Sequence, residues 1–353
     1  MEENIKLKAS NKKCKNCGGD LIFNPKTQKL DCEKCGSQFD FTMIKHLDKN
    51  PYVRGIPNQD THAWASETKK MKCETCGADI ELYGLNITSK CPYCESNYVT
   101  NISELPGLKP EAVIPFKFNE EDALVKFQQG IKKKFLVPTS FKKRLPKSNI
   151  LGVYVPTFNF DMDTFTRYSG VLEREVRVKR GKEYVTKTER FNISGTQDMI
   201  HRNYVIESSD NINDKQITSL LPYDFEESYQ YDENFIRGHR AKHYEDNLDK
   251  CHDLAKSKID EAIKQFILKK YDYSRVVSFN ANTTYSNEKY IYKLLPLYNF
   301  VFDYHKKQYT VVMNGQSGKV GKGLPISPLK VSILVLLILI AIALFIILMS
   351  MGE

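Results

Sequence analysis

Eight of the nine cysteines in this 353-residue sequence fall into four Cys-x-x-Cys pairs: Cys14 with Cys17, Cys32 with Cys35, Cys73 with Cys76, and Cys91 with Cys94. A two-residue gap lets both sulfurs of a pair face one ion, and two such pairs make a closed tetrahedral Zn²⁺ site. Four thiolates leave no open coordination position, so the expected chemistry is structural rather than activation of water. Each cysteine of the second set lies 59 positions after its counterpart, as 14 to 73 shows. Gly18 and Gly77, Asp20 and Asp79, Leu21 and Ile80, and Phe39 and Tyr98 obey the same shift, which marks an internal duplication. The expectation is two zinc ribbons, each holding one Zn²⁺, because modules this small have too little core to fold without it. A disulfide framework would need an oxidising compartment, and "MEENIKLKASNKKC" is charged throughout with no apolar run of an export signal.

Other reactive patterns are weaker. A nucleotide motor needs Gly-x-x-x-x-Gly-Lys-Ser/Thr; "NGQSGKVGKG", residues 314 to 323, has wrongly spaced glycines and no Ser or Thr after Lys319 or Lys322. It reads as strand-end turns and a linker. His239 and His243 stand four apart in "GHRAKH", where they could share a helix face, yet no third ligand is evident and they read as surface or packing residues. Neither a nucleophile elbow nor a kinase signature is present. Cys251 falls on an apolar stripe with Leu248, Ala255, Ile259, Ala262 and Phe266, the signature of a helix with a buried thiol. The chain is therefore expected not to be an enzyme.

The formal charge of +9 raises the question of nucleic acid. Residues 1 to 100 carry 15 Lys and Arg against 13 Asp and Glu, so the ribbons are near balance. The excess sits downstream: no acidic residue occurs from Ala123 to Phe160, a stretch that holds Lys126, Lys132, Lys133, Lys134, Lys142, Lys143, Arg144 and Lys147. That cluster could meet phosphates, anionic lipid headgroups or an acidic partner, against the plainer reading of a solvated surface.

These residues need elements to hold them. "VSILVLLILIAIALFIILM", Val331 to Met349, has one polar residue and no charge over 19 positions. At about 1.5 Å per residue it spans roughly 28 Å, a bilayer core, and is expected as a transmembrane helix. Lys319, Lys322 and Lys330 precede it and only "SMGE" follows, which predicts a single-pass tail anchor in the cell membrane with the N-terminal bulk in the cytoplasm. Upstream, Asn119 caps a helix with Glu120, Glu121 and Asp122 in its first turn, an apolar face of Leu124, Phe127, Ile131 and Phe135, and a stop at Pro138. Two hairpins are expected, one turning at Gly181 and one near Lys306 and Lys307. The fold class is thus multidomain: two small β zinc ribbons, an α+β domain with a mainly antiparallel sheet, and one C-terminal transmembrane helix. The divisions are ribbon 1 over 1–45, a linker over 46–70, ribbon 2 over 71–103, the α+β domain over 104–318, a juxtamembrane linker over 319–330, and the membrane helix over 331–349.

Taken together, "CPYCESNYV", "PEAVIPFKF", "LGVYVPTFNFD", "LLPYDF", "FIRGHRAKHYED", "YKLLPLYNF" and "VMNGQSGKVGKGLPIS" resemble the YdjG-like proteins, bacterial membrane proteins with paired zinc ribbons that are often labelled transcription-factor-B-type or primosomal helicase-related. Glu95 departs from the Cys-x-x-Cys-Gly ending of their ribbons, and Phe158 and Tyr298 stand where a Trp is expected. The resemblance implies no reaction and no catalytic residues. It implies an envelope-stress setting beside PspA-like coat proteins, flotillin-like proteins and other small membrane proteins. The function expected is a membrane-anchored adaptor that recruits such partners to the cytoplasmic membrane; the alternative is a membrane-tethered nucleic-acid binder without helicase activity.

Overall fold

The computed structural model describes residues 6–7, 9–10, 12–55, 69–72, 79–82, 88–90, 97–100, 108–143, 149–181, 183–209, 214–305 and 307–351. Cys73, Cys76, Cys91 and Cys94, together with Arg144 and Lys147, lie outside them.

Near the N-terminus, β1 (Leu21–Asn24), β2 (Lys29–Cys32) and β3 (Gln38–Phe39) form a three-stranded antiparallel sheet. Strands at Asp79–Leu82, Thr88–Lys90 and Asn97–Thr100 stand close to the positions that the 59-residue shift assigns. Lys6–Leu7 pairs in parallel with Lys69–Lys72, and Ala9–Ser10 pairs antiparallel with Asn97–Thr100, so these two short strands run along strands of the second cysteine segment.

Three long strands dominate the rest: β6 (Asn149–Arg180), β7 (Glu183–Glu207) and β10 (Arg275–Tyr304). Before them come β4 (Asn50–Pro51), β5 (Ala112–Val113), α1 (Glu120–Lys132) and α2 (Thr139–Lys143). Between β7 and β10 lie α3 (Asp214–Leu220), β8 (Tyr229–Gln230), α4 (Glu233–Ile236), β9 (Arg240–Ala241) and α5 (Leu248–Leu268). After them come β11 (Lys307–Asn314) and α6 (Pro328–Met351).

Antiparallel ladders join β7 to β6, β6 to β10 and β10 to β11, but β5 pairs with β10, and β9 with β6, in parallel, so the sheet is mixed. The burial of β6 follows its sequence. Tyr154 to Phe160 is buried on both faces, where α1, α5 and the first ribbon cover one side and α3 the other. From Met162 to Tyr168 the strand alternates between buried and outward residues, as a one-sided sheet requires. Beyond Glu173 only the β6–β7 hairpin remains, closed at Gly181 with φ +70°. The second hairpin turns between Tyr304 and Lys307.

Local readings needed three corrections. The Asn119 side chain does accept from Asp122 N at 3.0 Å, but α1 ends at Lys132, short of Pro138, and Phe135 lies beyond it with 58% of its surface exposed. On α5 the buried row runs Cys251, Ala255, Ile259, Ile263 and Ile267, while Ala262 is exposed and Phe266 is 44% exposed. Four-residue steps incline across the helix axis, and here that ridge lies on a twisted sheet. Third, the stretches expected as linkers are partly built into the domain. Asn50–Pro51 pairs with β10, Tyr52 stacks on His252 at 3.6 Å, and Gly55 N donates to Asp249 Oδ2 at 3.1 Å. Downstream, Val320 is buried against α1, where a Cβ on Gly130 would come within 2.6 Å of Val320 Cγ2.

Candidate metal centre

Cys14, Cys17, Cys32 and Cys35 converge as the spacing predicts, their four sulfurs all within 4.8 Å of one another. Two turns with matching hydrogen bonds bring them there. Cys14 N donates to Gly19 O at 2.8 Å and Gly18 N to Cys14 O at 2.9 Å; Cys32 N donates to Ser37 O at 2.9 Å and Gly36 N to Cys32 O at 3.0 Å. Both turns need a left-handed residue after the second cysteine, and Gly18 (φ +72°) and Gly36 (φ +71°) supply it without a Cβ penalty. By the 59-residue shift Glu95 is the counterpart of Gly36, and it lies outside the described residues.

The sulfurs fit a tetrahedral ion. Cys14 Sγ and Cys35 Sγ are 3.6 Å apart and Cys17 Sγ and Cys32 Sγ 3.5 Å, against about 3.8 Å for sulfurs around zinc at Zn–S ~2.3 Å. The Ser37 hydroxyl and amide hold the Cys35 thiol down to about 6. For Cys17 the Gly19 amide also pulls the pKa down, but Cys35, burial, Cys32 and Cys14 together outweigh it and push the thiol up to about 12. Four thiols this close resist ionising together, and a divalent cation removes that repulsion. Ser37 Oγ, 3.2 Å from Cys35 Sγ, is a partner that the spacing rule does not name. Its signal was nevertheless present, since Ser96 sits 59 positions on.

The centre is joined to the α+β domain. Cys14, Leu21, Phe23, Leu30 and Cys32 belong to the main buried core. Phe23 packs on Phe235 at 5.6 Å and on Phe41 at 6.1 Å, and its amide donates to Arg237 O at 3.1 Å. Gly238 (φ +83°) lets the backbone approach Ile22, whose Cβ would stand 3.0 Å from any Cβ there. The "FIRGHRAKHYED" segment is thus the seat of the ribbon, a role that neither histidine spacing nor period revealed.

His239 and His243 do not share a helix, because β9 lies between them. His239 stacks on Phe116 at 4.4 Å and meets Tyr154 edge-on at 5.8 Å, while His243 Nδ1 lies 3.2 Å from Tyr292 Oη. Burial lowers the His239 pKa to about 4. Cys251 is buried, its thiol 3.6 Å from Asp246 O.

The basic cluster divides. Lys132 and Lys133 are exposed at the end of α1, Lys143 is exposed on α2, and Lys142 Nζ donates to Lys132 O at 3.0 Å. Lys134 turns inward and donates to Val320 O at 3.2 Å and Gly321 O at 3.3 Å.

The membrane candidate is α6. Its window Pro328–Phe345 has a mean hydropathy of 2.7 and none of it is buried, so the helix is long and apolar enough to cross a membrane. The chain is similar to the uncharacterized protein YdjG of Bacillus subtilis (strain 168), with 28% identity over 323 residues and 91% of each chain covered. It is YdjG-like. No protein-family profile matches the chain, and no solved structure matches it.

Proposed function

We propose that this chain is a membrane-anchored adaptor: two Zn²⁺-stabilised ribbons and the α+β domain present docking surfaces, and α6 holds them at the cytoplasmic face of the membrane. The observation that carries this reading is the attachment of α6. From Pro328 to Phe345 the helix buries no face in the protein, and its approach is tied down residue by residue: Gly321 N donates to Val312 O at 2.8 Å, Ser327 N to Leu136 O at 2.9 Å, and Lys330 Nζ to Val137 O at 2.8 Å. An apolar helix of this length in water would be a large exposed patch, which a bilayer removes. Lys319, Lys322 and Lys330 before the helix favour the cytoplasmic orientation, as do cysteine pairs spaced for a metal ion.

In this reading each zinc acts as a tetrahedral cross-link that fixes turn geometry, and binding energy for partners comes from surface complementarity. The test is affinity capture of the full chain from gently solubilised membranes, with metal analysis of the same sample. Two zinc ions per chain and co-purification of PspA-like, flotillin-like or other small membrane proteins are expected. A defined nucleic acid in place of any protein partner would overturn the adaptor reading.

A further inference from the structure

We propose that the α1–α2 corner is a docking face for anionic phospholipid headgroups, which holds the domain at a fixed tilt on the bilayer; this rests on α6 being a membrane span. Lys330, the residue before the uncharged run that begins at Val331, ties the corner to the depth of the helix. Its Nζ donates to Phe135 O at 3.1 Å and to Val137 O at 2.8 Å, the two carbonyls that join α1 to α2. Whatever depth the first turn of α6 takes, this corner shares it. A helix that places Val331 at the edge of the hydrocarbon places Phe135 and its neighbours among the headgroups.

The corner has the composition of that layer. Phe135 is exposed, with Lys330 Nζ 5.7 Å from its ring, and Ile326 and Leu329 are also exposed. Large exposed apolar groups beside lysines suit the interface between headgroups and acyl chains. Around them stand Lys132, Lys133, Lys142 and Lys143, and among the described residues no carboxylate pairs with any of them or with Lys330. The cations crowd one another: burial and then Lys330 lower the Lys142 pKa. A protein surface commonly neutralises such a group with nearby acids, and this segment has none from Ala123 to Phe160. Anionic headgroups, drawn to basic residues within a Debye length, provide the missing charge. Lys134, turned to the carbonyls of Val320 and Gly321, is not part of the face.

The experiment is lysine footprinting of the full wild-type chain in nanodiscs of phosphatidylcholine alone or mixed with phosphatidylglycerol, using an uncharged acylating reagent and mass spectrometry. Acylation of Lys132, Lys133 and Lys143 is expected to slow several-fold in the anionic discs. Lys187, exposed on the distal hairpin, should label equally in both. At 1 M salt, where the Debye length falls to about 3 Å, the difference should vanish. The pair Lys132→Gln and Lys133→Gln should restore labelling of Lys143 in anionic discs. Equal labelling of the corner lysines in both lipids overturns the proposal. Protection that persists at 1 M salt also overturns it. A carbonate wash of native membranes separates the underlying reading: release of the chain refutes the span and the docking together, whereas a retained chain with lipid-independent labelling refutes the docking alone. Protection of the same lysines by duplex DNA in detergent, with none by lipid, assigns the face to nucleic acid instead.

Discussion

Protonation of His239 should loosen the joint between the first ribbon and the domain, by an amount that the structure sets. The residue is half-buried with its Nε2 out of solvent, flanked by Phe116 and Tyr154 and with Phe23 of the ribbon 6.4 Å away. Burial depresses its pKa from 6.5 to about 4. Between those values the unfolded chain binds a proton that the folded one refuses, so the contribution is complete above pH 6.5 and is lost as pH falls toward 4. The shift of 6.5 − 4 units at about 1.36 kcal/mol each gives on the order of 3 kcal/mol lost by pH 4. Urea unfolding of the full chain in detergent between pH 7 and pH 4 measures it, compared with His239→Phe, which keeps a ring and cannot titrate. Metal release at low pH acts on both proteins and cancels in the difference. Wild type should lose about 3 kcal/mol more than the variant. Parallel pH profiles would refute the claim that this histidine folds as the neutral ring.

Removing a ligand with Cys32→Ser should lower the bound metal by one ion per chain, read by metal analysis, and broaden the amide spectrum of residues 12–45. Phe23→Ala should cost about 3–5 kcal/mol in unfolding experiments, because it vacates the space between Phe41 and Phe235. An unchanged domain would mean that the ribbon swings free. Asn119→Ala should cost about 1 kcal/mol through the lost cap on Asp122 N, with faster hydrogen exchange in the first turn of α1. Gly181→Val forces a β-branched residue to φ +70° and should cost roughly 1–2 kcal/mol, confined to the hairpin tip by hydrogen exchange.

The parts legible in the sequence are those governed by neighbours along the chain. A Cys-x-x-Cys pair reaches one ion because two residues of turn suffice, and the Cys14–Cys35 cluster forms as spacing dictates. A run of 19 residues from Val331 without charge makes an apolar helix whatever surrounds it. The Asn119 cap and the Gly181 turn are equally local. Contacts between distant segments decided the rest. Whether α5 buries Ile263 or Ala262 depends on the sheet beneath it, since an i+3/i+4 pattern admits more than one row. Lys134 reads like Lys132 and Lys133 in sequence, and only the carbonyls of Val320 and Gly321, far along the chain, turn it inward. Phe23 docking on Phe235 and Tyr52 stacking on His252 likewise join residues some 200 positions apart, and no local period records them. The sequence alone determined the cysteine cluster and the apolar helix, because bond reach and hydropathy are local properties. Only the tertiary structure decided that the ribbon is seated in the domain and that the domain is fastened at the first turn of that helix, because packing energy is set by partners that the chain brings together by folding.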